Sequence, residues 1–398
     1  MKRNIFFYFL LLGILSCAGP KILKTDTALV SVNQQNFTEA ALQYRHMMKI
    51  LPAGKFPRSY DAKNDTLVTS GSDWWCSGFY PGTLLYLYEE TKDETLYNVA
   101  MRMLKLLEKE KNNTGTHDLG FMMFCSFGNA NRIREKPEYK EILLASARSL
   151  STRFNSKVGC IKSWDSSPSE FVVIIDNLMN LELLFWATEV SGDSSFYNIA
   201  VTHANTTIKN HFRSDNSSYH VINYHPETGA VQEKRTAQGY ADESAWARGQ
   251  AWGLYGFVAT YRATKNKKYL EQANKIAKFL LNHPNLPADK IPYWDFNAPD
   301  IPNALRDASS AAIIAAALLE LKNYVDETDA KQYFTVAETI LRNLSSVTYK
   351  AAVGTNGGFI LKHGVGHYPK KSEVDVPLTY GDYYFVEAMK RYKNNSVR

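Results

Sequence analysis

Asp176 follows an apolar run, Phe171-Val172-Val173-Ile174-Ile175, and precedes Asn177-Leu178-Met179-Asn180-Leu181. A carboxyl in so apolar a setting loses hydration, which disfavours its charged form and raises its pKa. A carboxyl that keeps its proton near neutral pH can act as a general acid. The N–H groups of a helix start pull the other way, so sequence leaves the net shift open. A second acid, Asp118, stands in Gly115-Thr116-His117-Asp118-Leu119-Gly120-Phe121. Two carboxyls in one pocket is the common arrangement for cleaving glycosidic bonds. His220, Gln238 and Arg248 are further polar candidates. Arg248, two residues after Trp246, could meet a substrate carboxylate through two parallel hydrogen bonds. Trp74, Trp75, Trp246, Trp252 and Trp294 flank Gly-rich or polar turns. Indole faces suit sugar rings, although core packing is the plainer role for any one of them.

These residues need helices to position them. The segment from Glu94 to Lys111 places Leu96, Val99, Ala100, Met103, Leu104 and Leu107 on one face. Similar amphipathic stretches run over Lys136 to Phe154, Asp193 to Phe212, Lys267 to Asn282 and Asp329 to Leu344. An aromatic opens each one (Tyr97, Tyr139, Tyr197, Tyr269, Tyr333), a loose repeat of roughly 40 to 70 residues. Between them lie helices apolar on all sides: Gly78 to Glu90, Leu119 to Ala130, Asn177 to Val190, Ser244 to Ala263 and Ser309 to Tyr324. A helix without a polar face is buried. Outer amphipathic helices alternating with inner apolar ones describe an all-α double ring, an (α/α) barrel. Strand-like runs such as Phe171 to Ile175 are few and short. Asp118, Asp176, Asp242 and Asp307 stand at or just before inner-helix starts. Singly, each reads as an N-cap. If the inner helices run parallel, the four acids converge on one mouth.

The 398 residues, 45% of them hydrophobic, can bury a large core. Net charge is +6 with no basic block, which argues against nucleic acid as a partner and weakly favours an acidic substrate. There is no P-loop, no dinucleotide-binding Gly-rich turn and no nucleophile elbow. His363 and His367 lie among glycines and read as a loop, so no metal or other cofactor is expected. At the N-terminus, Lys2 and Arg3 precede an apolar run from Ile5 to Leu15, too short to span a membrane. This reads as an export signal. Ile14-Leu15-Ser16-Cys17 resembles a bacterial lipobox, with Leu15 bulkier than usual there. The expectation is a signal peptide over 1–17, lipidation at Cys17, a tether over 18–33 and one catalytic domain over 34–398. The protein would then be exported, periplasmic or on the outer membrane of a Gram-negative-type bacterium, held by its lipid alone. Cys76, Cys125 and Cys160 fit neither a disulfide framework nor a zinc site and are expected as free thiols.

The chain resembles the unsaturated glucuronyl hydrolases, glycoside hydrolase family 88, from about Phe37 onward. The resemblance rests on Ser77-Gly78-Phe79-Tyr80-Pro81-Gly82, His117-Asp118-Leu119-Gly120-Phe121 and Ile175-Asp176-Asn177-Leu178-Met179-Asn180. It continues in Ser244-Ala245-Trp246-Ala247-Arg248-Gly249-Gln250-Ala251-Trp252, Arg306-Asp307-Ala308-Ser309-Ser310-Ala311 and the block from Asp375 to Tyr384. It implies an (α/α)6 barrel acting on oligosaccharides that end in a 4,5-unsaturated uronic acid. It implies Asp176 as donor to carbon and Asp118 as its partner acid. His117, His220, Gln238, Trp75, Trp246, Arg248 and Trp252 would hold the sugar, as a monomer or homodimer. Competing readings are an unsaturated rhamnogalacturonyl hydrolase, a non-catalytic glycan-binding lipoprotein, and an epimerase with histidine bases on the same barrel.

Overall fold

The computed structural model describes residues 23–396. The expected signal peptide and Cys17 lie outside the described residues. Twelve α-helices follow in order: α1 (Thr27–Ile50), α2 (Phe79–Thr91), α3 (Glu94–Leu107), α4 (Asn129–Ile133), α5 (Pro137–Ser151), α6 (Leu181–Ser191), α7 (Ser194–Asn210), α8 (Ala247–Thr264), α9 (Lys267–Asn282), α10 (Ala308–Leu321), α11 (Glu327–Leu344) and α12 (Thr379–Ser396). Odd-numbered helices form the outer ring and even-numbered ones the inner, an (α/α)6 barrel. The chemistry of the helices decides the layer. In α3 only the stripe from Leu96 to Leu107 is buried, whereas every residue of α10 except Glu320 is buried.

Five of the outer helices in the described residues are capped by a side chain, and α5 opens instead on Pro137. Side chains of Asp26, Asp93, Asp193, Asn266 and Asp326 each accept a backbone N–H from the first turn that follows. Of the four acids assigned to inner-helix starts, only Asp307 caps one, accepting from Ser309 N. Asp242 instead accepts from Thr236 N at 2.8 Å, within the loop ahead of α8. Asp118 and Asp176 cap nothing, because each inner helix there begins irregularly. A π-helix, Gly120–Gly128, leads into α4, and a 3₁₀ helix, Ile175–Asn180, leads into α6. Wider or tighter helical turns of this kind often mark functional segments.

The tether expected over 18–33 is too long. Asp26 caps α1, Leu29 is fully buried, and Asp26 N donates to Tyr392 Oη at 2.8 Å. An apolar side chain and a cap already in place bind this stretch to the barrel. Helix α12 packs on α1, α2 and α10, so the ring closes where its ends meet. Neither α1 nor α12 stood out by apolar pattern, since both carry scattered polar residues on buried faces, such as Asn33, Asn36 and Asp382.

Short antiparallel strands ride on one end of the barrel. They are β1 (Phe56–Asp61) with β2 (Thr66–Ser70), β3 (Phe154–Asn155) with β4 (Cys160–Ile161), the sheet β5 (Phe171–Ile174), β6 (Val221–Tyr224) and β7 (Val231–Arg235), and β8 (Gly364–His367) with β9 (Ser372–Val376). One hydrophobic core runs from Leu29 to Tyr392. Helix α2 lies tight on the π-helix because Gly82 has no side chain. A Cβ there would collide with the Cys125 carbonyl and lie 2.7 Å from the Tyr383 ring. Replacing Gly82→Ala should lower stability by about 1–3 kcal/mol in chemical denaturation. Unchanged stability would mean that α2 is free to shift.

Candidate active site

A recess of 650 Å³ opens at the end of the barrel where the inner helices begin. Its wall includes Trp75 just before α2, Asp118 before the π-helix, Asp176 on the 3₁₀ turn, Arg248 in the first turn of α8 and Tyr380 in the first turn of α12. The inner helices therefore run parallel, but of the four acids only Asp118 and Asp176 meet in the recess: Asp307 is buried behind it against Arg248, and Asp242 stays in the loop ahead of α8. The strands form the rim through Arg58, Ile174, Arg235, Gly366, His367 and Glu373.

Asp176 is delivered by β5. Ile175 N bonds His220 O at 3.0 Å, continuing the sheet, and Asn177 Nδ2 ties the 3₁₀ turn to Ile161 O at 2.8 Å. The Asp176 Oδ2 atom is buried without a hydrogen-bond partner. Burial pushes the Asp176 carboxyl up to about 7, against the pull of the Arg248 charge. Asp118 is also raised to about 7 by burial, while hydrogen bonding from the Asn180 and Thr116 side chains and the Arg153 charge draw it down.

The two histidines beside these acids are neutral. His220 Nδ1 accepts from Ala237 N at 3.1 Å and Gln238 N at 3.2 Å. Its proton therefore sits on Nε2, which lies 3.7 Å from Asp176 Oδ2. Burial, then the Arg248 charge, holds His220 well below its ordinary range. Its ring lies tilted 4.4 Å from Trp246 and meets Trp164 edge-on. His117 Nε2 lies 3.3 Å from Asp118 Oδ1, and burial lowers His117 to about 3. Both rings are almost wholly covered; His117 reaches the recess wall beside Asp118, whereas His220 lies behind Asp176.

Arg248 lines the recess, yet its Nη groups are already engaged. They pair with Asp307 at 3.2 Å and donate to the carbonyls of Val365 and, at 2.6 Å, Gly366. The two-pronged contact that sequence assigned to a substrate carboxylate is made instead to the barrel and to β8. Gln238 lines the recess and donates to Gly366 O at 2.9 Å. Trp75 presents a face there, packed on Tyr380 at 5.0 Å and Phe121 at 5.6 Å.

Two expected sugar platforms lie behind the surface. Trp246 is covered by His220 and the Arg248 guanidinium. Trp252 is fully buried between Phe121 and Tyr384. A tryptophan in the second turn of an inner helix points into the core, below the level at which the recess ends. Trp294 stacks on Tyr368 and lies outside the recess, whereas Trp74 reaches its rim beneath Arg58. Sequence reasoning passed over Arg58, Trp164, Arg235, Glu373 and Tyr380, and it read His367 only as part of a loop. Tyr380 stood inside a matched block, where its aromatic type was the available signal. Arg58 pairs with Glu373 at 2.9 Å across two hairpins far apart in the chain, a contact no local pattern encodes. Cys76, Cys125 and Cys160 are free thiols, as expected.

The chain matches the family described as Glycosyl Hydrolase Family 88 over residues 52–397. It is 47% identical over 347 residues to an unsaturated glucuronyl hydrolase of Formosa agariphila, covering 86% of each chain. It is 32% identical to an unsaturated chondroitin disaccharide hydrolase of Streptococcus agalactiae, covering 95% of this chain and 96% of the other. Among solved structures it is similar to an unsaturated glucuronyl hydrolase specific for heparin, with a TM-score of 0.89 and 47% identity over 92% of this chain and 97% of that one.

The burial of Asp176 has a thermodynamic signature. Folded, the carboxyl keeps its proton up to about 7, whereas its ordinary value is 3.8. Between these values the unfolded chain binds fewer protons, so stability falls as pH rises. Asp176→Asn removes that loss. The variant should gain a few degrees of Tm over wild type at about pH 8, with the gain shrinking toward about pH 5. A Tm difference that stays constant over this range would contradict the burial of an ionising group.

Proposed function

The chain belongs to glycoside hydrolase family 88 and is an unsaturated glucuronyl hydrolase, and on that premise we propose that Asp176 and Asp118 carry its chemistry. The substrate is an oligosaccharide whose terminal uronic acid has a C4=C5 double bond, an enol ether conjugated to a carboxylate. The Asp176 carboxyl gives its proton to C4, and positive charge develops at C5 and the ring oxygen. Water adds to C5, and the Asp176 carboxylate takes a proton from it. The product is a hemiketal at C5. Its ring opens to a C5 ketone, C1 becomes a hemiacetal, and that collapses to an aldehyde and releases the remaining sugar.

The observation that carries this reading is the pair of buried carboxyls, both held near 7, in one recess. A proton donor to carbon must retain its proton at working pH, and burial supplies that. His220 Nε2–H, 3.7 Å from Asp176, supports the carboxylate left after transfer. Trp75 and Trp164 offer ring faces to the sugar, and Gln238 an amide. Arg58, Arg235 and Lys370 put positive charge around the recess, which suits a uronate and an anionic neighbour such as a glycosaminoglycan or ulvan fragment. A pure sugar binder would need the aromatics and hydrogen bonds but not a desolvated acid pair. Lyase-generated unsaturated disaccharides should lose their ultraviolet absorbance when the protein is added. Asp176→Asn should slow that loss by about 10²–10⁴-fold with the fold intact. Wild-type turnover in that variant would remove Asp176 from the donor role.

The short apolar run before Ser16-Cys17 supports export with lipidation at Cys17, which would place this reaction at a membrane surface. In a Gram-negative host, Cys17→Ser should move the protein from the membrane fraction to a soluble one. Membrane association that survives the change would exclude the lipid anchor.

A further inference from the structure

Asn180 ends the same 3₁₀ turn that carries Asp176, and it touches the segment that carries the other acid. It is wholly buried. Its Oδ1 accepts the Phe121 N–H at 3.0 Å. That bond fixes which way the amide points. The Nδ2 end has no close hydrogen-bond partner and turns toward the Asp118 carboxyl. Space for it exists because residue 120 is glycine. A Cβ on Gly120 would lie 2.8 Å from Asn180 Oδ1 and collide with its Cα. Asn180 is thus stapled to the backbone that begins two residues after Asp118.

We propose that Asn180 is a positioning residue that keeps Asp118 the anionic member of the acid pair, so that the shared proton resides on Asp176. This rests on the acid-pair reading above. Two equally buried carboxyls in one recess would share a proton without preference, and their titration would belong to the pair. The reaction needs a direction. The groups facing Asp118 are the Thr116 hydroxyl, the Asn180 amide, neutral His117, the Arg153 charge, Asp176 and the buried Cys76 thiol. Asp176 faces neutral His220 and Arg248, whose charge draws Asp176 down although its Nη groups also pair with Asp307. Of the side-chain amides on the 3₁₀ turn, Asn177 is committed to Ile161 and Ser163. The Asn180 amide alone is turned toward an acid.

The test is the pH profile of kcat/KM on an unsaturated disaccharide. Its acidic limb reports ionisation of Asp118 and its basic limb the loss of the Asp176 proton. Asn180→Leu, similar in size, removes the donor. Asn180→Asp keeps volume and the Phe121 bond while replacing the donor with an acceptor, so it serves even if the leucine variant folds poorly. The acidic limb should move up by roughly 0.5 to 1 pH unit in Asn180→Leu and further in Asn180→Asp. The basic limb should not fall, and the bell should narrow. Asn177→Ala loosens the same turn and should lower kcat at every pH with the limb in place. If both Asn180 variants behave like Asn177→Ala, while Asp118→Asn is inactive, the Asn180 assignment is overturned and the acid pair stands. If Asp118→Asn and Asp176→Asn both retain wild-type turnover, the acid-pair reading itself falls.

Discussion

Everything in this protein is arranged around the cost of sinking two carboxyl groups below the surface. Water would stabilise each as an anion, and the recess withholds it. Withdrawal of hydration lifts Asp118 and Asp176 to about 7, where a carboxyl is both a usable acid and a usable base. The barrel is suited to maintaining that condition. Six inner helices starting at one end surround the acids with apolar side chains while leaving the end itself open. The neighbours that could spoil the balance are neutralised. His117 and His220 hold no charge, because burial disfavours it.

The strongest fixed charge nearby, Arg248, is engaged by Asp307 and two carbonyls, and it still draws Asp176 down. A buried ion pair of this kind contributes little net stability, since desolvation offsets attraction. Its contribution is positional. Arg248 stands on α8, Asp307 caps α10, and Val365 and Gly366 belong to β8. One guanidinium therefore locks two inner helices and a rim hairpin together, and with them the distance between the floor of the recess and its edge.

Much of the architecture was legible because it depends on local periodicity. The apolar stripe of α3 and the all-round apolarity of α10 could be read from residue spacing alone. So could the position of Asp176, which an apolar strand runs straight into. What escaped was set by contacts between distant segments. Trp252 and Trp75 look alike in sequence, yet one faces the core and the other the recess. That difference arises because Trp75 precedes its inner helix, whereas Trp252 sits in the second turn of α8. The caps were misassigned for a related reason. Asp118 precedes the π-helix and Asp176 lies inside the 3₁₀ turn, and such a start leaves no regular first turn for a carboxylate to cap. The tether was drawn too long because the buried residues of α1 include asparagines, which pattern reading counts as exposed. Arg58 and Glu373 meet only because two hairpins fold over the same end.

The β8–β9 hairpin is gripped along β8 and braced again at its tip, where Tyr368 stacks on Trp294. Gly366 is gripped from below by Arg248 and Gln238, while the tip from His367 to Ser372 leans over the opening and contributes Lys370. Such a construction separates two kinds of change. Changes at Lys370 alter the charge at the opening without touching the acids beneath. Changes around Gly366 reach the floor through Arg248, whose charge acts on Asp176. Charge at the opening can therefore change at the hairpin tip while the acids and the groups that hold them stay in place.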